Sequence, residues 1–245
     1  MSASKKTEHV DCLGLGIMPL DLLFEVDRYP EAGSKIDGCG MTVQGGGPVP
    51  NVLVGLSRMG HSGTLITAVA DDLTGHTGIA EMEVEGVDMR YVVRRKGTSD
   101  TAVGLIERGT GQRTMVLNRI IHVRPRDVNT AEYPVPRIVH LDGRDLEACM
   151  KLARWAHRQG AQICFDIGSV RNDISPILPL VDHLVVADVF AFSFTGCRNA
   201  RRAVEKLRES CPGTVVATEG LKGATGCENN VWVTQRAFKV KSVDG

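Results

Sequence analysis

Three consecutive glycines, Gly45 to Gly47, lead into Val52 to Met59, an apolar segment of helical length. Glycine has no Cβ, so a ligand can approach this backbone closely, and the first N–H groups of a helix have no partner within the helix. The side-chain amide of Asn51 can both donate and accept hydrogen bonds. The pattern predicts a loop that opens a helix and presents Gly46, Gly47 and Asn51 to a polar ligand. A plain strand-to-helix turn remains the alternative for the glycines alone.

Carboxylates follow several predicted strands at the point where each strand ends. Asp21 comes soon after the strand predicted for Val10 to Gly16, and Asp142 and Asp166 follow later strands. The carboxyl ends of parallel strands lie at one edge of a sheet, where open α/β sheets bind ligands. Carboxylates at such an edge can bond the neighbouring hydroxyls of a polyol or sugar, or hold Mg²⁺ through water. For Asp21, the capping of a turn is an open alternative.

A glycine-containing loop follows another predicted strand, Thr214 to Thr218. Gly220 and Gly223 in this loop would allow a nucleotide to lie against the backbone, although a purely structural turn is an equal alternative. Gly14-Leu15-Gly16 carries the first two glycines of a dinucleotide fingerprint. Pro19 stands at the position of the third glycine and no helical pattern follows, so a nicotinamide-dependent oxidoreductase is the weakest of the functional alternatives.

The elements that would position these residues alternate between helix and strand. The pattern predicts a helix for Leu53 to Met59, a strand for Thr64 to Val69 and a helix for Gly75 to Glu85. This alternation favours a mostly parallel sheet covered on both faces. Thr101 to Arg108 and Arg113 to Leu117 flank a Gly-Thr-Gly turn, a hairpin signal. At 245 residues, one large α/β domain is expected.

Composition limits the partners and the compartment. Lysine plus arginine and aspartate plus glutamate number 29 each, so the formal charge at pH 7 is zero. Balanced charge gives no electrostatic basis for binding nucleic acid or an anionic membrane. The seven cysteines are scattered without a C-x-x-C spacing, as is typical of reduced thiols. The polar start, Met1 to His9, lacks a signal-peptide core, and no run reaches membrane-spanning length. We therefore predict a cytoplasmic protein.

Several of these motifs, in order along the chain, resemble those of the ribokinase-like (PfkB) carbohydrate kinases. They are Gly46-Gly47-Pro48-Val49-Pro50-Asn51, Asp71-Asp72-Leu73-Thr74-Gly75, Ile138-Val139-His140-Leu141-Asp142-Gly143-Arg144 and Val216-Ala217-Thr218-Glu219-Gly220-Leu221-Lys222-Gly223. These motifs most resemble those of ketohexokinase-like and sulfofructose-kinase-like members, although Ala70 stands where the family usually has glycine. The resemblance implies a ribokinase-like three-layer α/β/α sandwich with a mostly parallel central sheet and a small β-sheet lid. The lid would be formed by residues 21–43 and 98–118 within a single domain, residues 1–245.

The same resemblance implies transfer of the γ-phosphoryl group of ATP to a sugar hydroxyl. It implies ATP and Mg²⁺ as cofactors, with a monovalent cation as a further candidate. The lid should project from the core with one apolar face, and an exposed sheet of this kind is usually covered by a partner, so the complete protein is expected to be a homodimer through the lid. The implied sugar-binding residues are Asp21, Gly46, Gly47, Asn51, Asp142 and Arg144. The implied nucleotide-binding residues are Thr218, Gly220 and Gly223.

Two departures from the family pattern affect the chemistry. The family's N-x-x-E motif would fall at Ala187 to Phe190, where neither polar residue is present, so the metal ligands stay unassigned. Ser242-Val243-Asp244-Gly245 resembles the lead-in to the D-T-x-G-A-G-D signature, which places the catalytic base beyond Gly245. The expectation is a kinase domain without its C-terminal part, and inactive as it stands. A non-catalytic sugar- or nucleotide-binding module of the same fold is the alternative.

Overall fold

A nine-stranded sheet forms the centre of the protein, for which the computed structural model describes residues 8–169 and 173–239. In spatial order its strands are β13 (Val231–Gln235), β12 (Ala224–Glu228), β11 (Thr214–Thr218), β10 (His183–Ala187), β9 (Gln162–Ile167), β8 (Val135–Leu141), β1 (His9–Leu15), β4 (Gly63–Ala70) and β5 (Asp88–Arg95). All neighbours from β11 to β5 pair in parallel, and β12 and β13 add an antiparallel hairpin at one edge.

Helices cover the two faces of this sheet. They are α1 (Pro48–Arg58), α2 (Leu73–Val84), α3 (Leu146–Arg158), α4 (Asp188–Thr195) and α5 (Ala200–Arg208). Residues of α1 and α2 pack into one apolar cluster with Cys12 of β1, whereas α3, α4 and α5 pack into a second cluster with Leu13 and Leu15 of the same strand. Because neighbouring residues of a strand point to opposite faces, β1 is buried on both sides. The predicted three-layer α/β/α arrangement is confirmed.

A separate four-stranded sheet stands beside the large one. Its spatial order is β3 (Gly40–Gly45), β2 (Leu20–Val26), β6 (Thr101–Glu107) and β7 (Arg113–Asn118). The hairpin of β6 and β7 is antiparallel as predicted, and β2 pairs with β6 in parallel. The predicted small sheet is therefore present. Of the extended piece predicted for Ser34 to Val43, only the part from Gly40 onward is strand.

Three strands lie outside the elements predicted from the sequence: β5, β12 and β13. The charged residues of β5 (DMRYVVRR) interrupt the apolar pattern expected of a strand. A local signal did exist for the edge hairpin, because Asn229 and Asn230 both have positive φ, 47° and 66°. Asparagine tolerates this conformation and favours the tight turns of hairpins.

Across residues 8–169 and 173–239, no helix is long and apolar enough to span a membrane.

Candidate active site

The glycine loop between β3 and α1 is shaped by close contacts with neighbouring backbone. Gly47 has φ 105°, and a Cβ at this position would lie 2.3 Å from the carbonyl oxygen of Ile17. The N–H of Gly46 donates to the carbonyl of Pro19 at 2.9 Å. Glycine is required at residue 47 both for its positive φ and for this approach. The predicted loop that opens a helix is thus present, and α1 begins at Pro48.

Asp21 lies against this loop, although not where the sequence pattern placed it. The sequence suggested a carboxylate at the end of a central strand, whereas Asp21 is the second residue of β2 in the small sheet. Its carboxylate would be 2.5 to 2.8 Å from a Cβ on Gly46 and therefore rests directly on that glycine. In the sheet register Asp21 pairs with Gln44 and Ala102. Asp21 and the glycine loop thus meet through packing of the small sheet.

Asn51 lies in the first turns of α1 and is exposed. It lines a groove of about 870 Å³ between α1 and α2, and Gly46 lines the same groove. Arg58 and Glu85 also line the groove and bond each other, with Arg58 Nε donating to Glu85 at 2.8 Å. The structure therefore brings Asn51 and Gly46 to the same groove.

Asp142 and Arg144 follow β8 at the carboxyl edge of the large sheet. One carboxylate oxygen of Asp142 accepts from the N–H of Ile17 at 2.9 Å, and the other accepts from the N–H of Arg144 at 2.9 Å. The Arg144 guanidinium donates to the carbonyl of Arg119 at 2.8 Å. Since Ile17 also contacts Gly47, the turn after β1 links Asp142 to the glycine loop.

A cavity of about 250 Å³ opens at this edge, between the end of β1 and α4. Its lining includes one basic side chain, Arg119, and two acidic side chains, Asp142 and Asp166. Asp166 lies inside β9, one residue before its end, rather than after the strand as predicted. Burial raises the pKa of the Asp166 carboxyl above its ordinary value. The cavity combines donors and acceptors suited to a polyhydroxylated ligand.

The loop after β11 holds the residues predicted to bind a nucleotide. Thr218 ends β11, and the Glu219 N–H donates to the carbonyl of Gly223 at 2.7 Å, which closes the loop. A Cβ on Gly220 would meet no described atom within 4 Å, and Leu221 is 98% exposed. This surface is open to a ligand.

Gly223 has a different reason to be glycine. A Cβ there would lie 1.9 Å from the carbonyl oxygen of Gln235 on β13, and its φ is 105°. Packing of the edge hairpin accounts for Gly223 without any nucleotide.

The two positions expected for the Asn and Glu of the family's metal-organising motif hold apolar residues. Ala187 ends β10, and Phe190 in α4 is fully buried. Within the described part of the chain, no three histidine, cysteine, aspartate or glutamate side chains are grouped as metal ligands. Ser242 to Gly245, which the sequence relates to the catalytic signature, lies outside the described residues.

Gly14 also has a structural explanation. A Cβ at Gly14 would lie 2.4 Å from Val49 Cγ1 on α1, so close packing of helix on strand requires this glycine. Gly14 is therefore no longer evidence for the dinucleotide-binding alternative.

Sequence reasoning missed Arg119 and Glu81. Arg119 follows the last strand of the small sheet and reaches the cavity only through the fold. Glu81 accepts a hydrogen bond from the Gly45 N–H at 2.6 Å, although 36 residues separate the two. No local pattern distinguishes either residue from an ordinary surface charge.

The buried His140, two residues before Asp142, should make the stability of the protein depend on pH. Its side chain is only 9% exposed, and its Nε2 has no hydrogen-bond partner among the described residues. Burial lowers the pKa of His140 from 6.5 to about 4. The unfolded chain therefore takes up this proton first as the pH falls, and the free energy of unfolding should drop by about 2 kcal/mol between pH 7 and pH 5.

Chemical denaturation at both pH values tests this expectation. His140→Leu should remove most of that pH dependence, whereas His9→Gln, at an exposed residue of β1, should leave it unchanged. An equal pH dependence in wild type and His140→Leu would contradict the prediction.

Comparisons with known proteins identify a family. The model of the pfkB family carbohydrate kinases matches residues 8–245. The ATP-dependent ribose-1-phosphate kinase of Halopiger xanaduensis is 28% identical over 167 residues, which cover 67% of this chain and 56% of that protein. Ketohexokinase of Mus musculus is 22% identical over 158 residues, which cover 63% of this chain and 53% of that protein. The chain thus spans about half the length of these curated relatives.

Solved structures give the same fold. Ribokinase from Giardia lamblia superposes with a TM-score of 0.82 at 17% identity, covering 95% of this chain and 78% of that one. The predicted ribokinase-like fold is confirmed.

Proposed function

Because the chain belongs to the pfkB family of carbohydrate kinases, we propose that the protein transfers the γ-phosphoryl group of ATP to a hydroxyl of a sugar. The observation that carries this proposal is the contact between the Asp21 carboxylate and Gly46, beside the N-terminal end of α1. A carboxylate accepts hydrogen bonds from hydroxyls, and a glycine backbone lets the sugar ring come close. We further propose that residues 1–245 act as one domain in which the small sheet, predicted for residues 21–43 and 98–118 and formed by β2, β3, β6 and β7, is a lid.

Two groups of residues would share the acceptor. Asp21, Gly46, Gly47 and Asn51 would bind hydroxyls on the side of the small sheet. Asp142, held by the N–H groups of Ile17 and Arg144, and Arg144 would bind the acceptor from the edge of the large sheet. Gly47 and Asp142, one from each group, lie against the turn at Ile17, and through this turn the two groups would face one acceptor molecule.

The nucleotide would lie against the loop after β11. Thr218 ends the strand and Gly220 leaves the backbone accessible, whereas Gly223 contributes by allowing the loop to close. The Asp166 carboxylate in the cavity is the side chain that would hold Mg²⁺ through water, because Mg²⁺ prefers oxygen donors and keeps several waters. When bound, Mg²⁺ neutralises charge on the phosphates.

Acceptor-dependent release of ADP tests the proposed activity. The protein would be assayed in a coupled reaction with ATP, Mg²⁺ and a panel of ketoses, aldoses, nucleosides and D-ribose 1-phosphate, chosen in part from the names of the two curated relatives. Release of ADP that depends on one acceptor, and that falls in Asp142→Asn, would support it. Binding of sugar or nucleotide by calorimetry, without turnover even in a chain that carries the D-T-x-G-A-G-D signature expected after Gly245, would instead favour a non-catalytic binding module of the same fold.

The small sheet also supports a homodimer. Leu22, Val43, Val103 and Val116 form one row across the four strands and share a face opposite Asp21. On this face Met41 is 59% exposed and Val116 69% exposed. An exposed apolar sheet face of this kind is commonly covered by a partner. We infer that a second copy of the chain covers it.

Light scattering at micromolar concentration should therefore show a dimer, and Val116→Asp should shift it to monomer. Arg113→Ser changes the same strand on the opposite face and should remain dimeric. A wild-type protein that is monomeric with and without acceptor would contradict the inferred dimer.

A cytoplasmic location is inferred from the cysteines. All seven are free thiols, and Cys12, Cys149, Cys211 and Cys227 are buried. Unpaired thiols in this number are characteristic of a reducing compartment.

A further inference from the structure

Glu81 holds the strand that leads into the glycine loop. One of its carboxylate oxygens accepts a hydrogen bond from the N–H of Gly45, the last residue of β3, at 2.6 Å. Glu81 lies on α2 and is partly buried. Hydrogen bonds to an ionised carboxylate are among the stronger ones in proteins. The end of β3 is therefore attached to α2 by a side chain as well as by packing.

Asp72 makes a second attachment at the N-terminus of the same helix. It accepts from the N–H of Gly75 at 2.8 Å, which caps the helix, and from the N–H and hydroxyl of Ser99 at 2.8 and 2.6 Å. Ser99 is 1% exposed and lies two residues before β6. Burial alone would raise the pKa of Asp72, but the hydrogen bonds from Ser99 and Gly75 outweigh it and lower the pKa, so this carboxylate stays ionised.

The two attachments lie on either side of β2. The small sheet has the order β3, β2, β6, β7, so Glu81 reaches the strand on one side of β2 and Asp72 reaches the start of the strand on the other side. β2 carries Asp21, which pairs with Gln44 of β3 and Ala102 of β6. Helix α2 and its capping residue therefore bond the end of β3 and the segment that leads into β6, the two neighbours of the strand that carries the proposed acceptor-binding carboxylate.

We propose that Glu81 and Asp72 are positioning residues for the acceptor site. By fixing β3 and β6 on α2, they set where Asp21 lies relative to Gly46. Neither residue is among those proposed to bind the acceptor. Their loss should weaken acceptor binding and leave the rate at saturating acceptor close to normal. The kinetic part of this inference rests on the proposed kinase function, whereas the structural part does not.

Hydrogen–deuterium exchange on the ligand-free 245-residue protein tests the structural part. Glu81→Ala should speed amide exchange in residues 40–47 by about tenfold, because losing a hydrogen bond to a charged group makes local opening more frequent by about this factor. Exchange in β8 and β9 should not change. Glu81→Gln retains an acceptor oxygen and should restore most of the protection. Glu83→Ala, at an exposed residue of the same helix, should match the wild type.

Steady-state kinetics with an acceptor that supports ADP release test the functional part. Glu81→Ala should raise KM for the acceptor about tenfold with kcat within about twofold, and Glu81→Gln should recover most of the affinity. Unchanged exchange in residues 40–47 of Glu81→Ala would overturn the inference, as would equal acceleration in every strand. A protein that lacks kinase activity even when it carries the signature expected after Gly245, and that still shows the local exchange difference, would disprove the proposed function and leave the anchoring by α2 standing.

Discussion

Asp21→Ala is expected to lower the affinity for the sugar acceptor by about two orders of magnitude or more while the fold stays intact. Hydrogen bonds to a charged group contribute about 1.5–3 kcal/mol each, and a carboxylate of this kind can accept from two hydroxyls. Asp21 is only partly buried, and its strand pairs on both sides through backbone bonds that the substitution leaves in place. The loss should therefore affect binding rather than folding.

Calorimetry with the acceptor identified by ADP release would measure this loss, and circular dichroism would check the fold. Glu25→Ala is a matched control, because it removes a carboxylate from the same strand and the same face, four residues farther from the glycine loop. Near-wild-type affinity in Asp21→Ala, with an unchanged spectrum, would show that Asp21 does not bind the acceptor.

Gly47→Ala should be strongly destabilising, by about 3 kcal/mol or more. An alanine there would have to adopt φ 105° and place its Cβ 2.3 Å from the carbonyl oxygen of Ile17. That oxygen belongs to the backbone of the turn after β1, so it cannot turn aside as a flexible side chain could. The melting temperature should fall by roughly 10 °C for a domain of this size.

Gly55→Ala, in the helix that follows Gly47, is a control with the opposite expected change in stability. Gly55 is inside α1, and a Cβ there would meet no described atom within 4 Å. Alanine restricts the unfolded chain and favours helix, so this variant should gain about 0.5–1 kcal/mol. Thermal unfolding of both variants makes the comparison. A Gly47→Ala protein as stable as the wild type would mean that the loop has another conformation.

The sequence was sufficient for those parts of the fold that depend on local pattern. Leu146 to Arg158 carries apolar residues at helical spacing, and α3 occupies the same residues. β2 likewise spans the predicted Leu20 to Val26. β5 could not be found in this way, because charged residues interrupt its apolar pattern. Such residues are tolerated in a strand at the edge of a sheet, and only the tertiary structure places β5 at an edge.

Residue types and order along the chain were enough to predict the glycine loop, the loop after β11 and a mostly parallel sheet. The reasons are local: glycine permits close backbone approach, and alternating helix and strand patterns favour parallel pairing, because each helix can serve as the crossover that parallel strands need. Tertiary structure alone decided that Asp21 reaches Gly46 from the small sheet and that Arg119 joins Asp142 at the cavity. It alone decided that Glu81 binds Gly45. Such contacts join residues far apart in the chain, and they exist only because packing of the two sheets and α2 determines which distant surfaces meet.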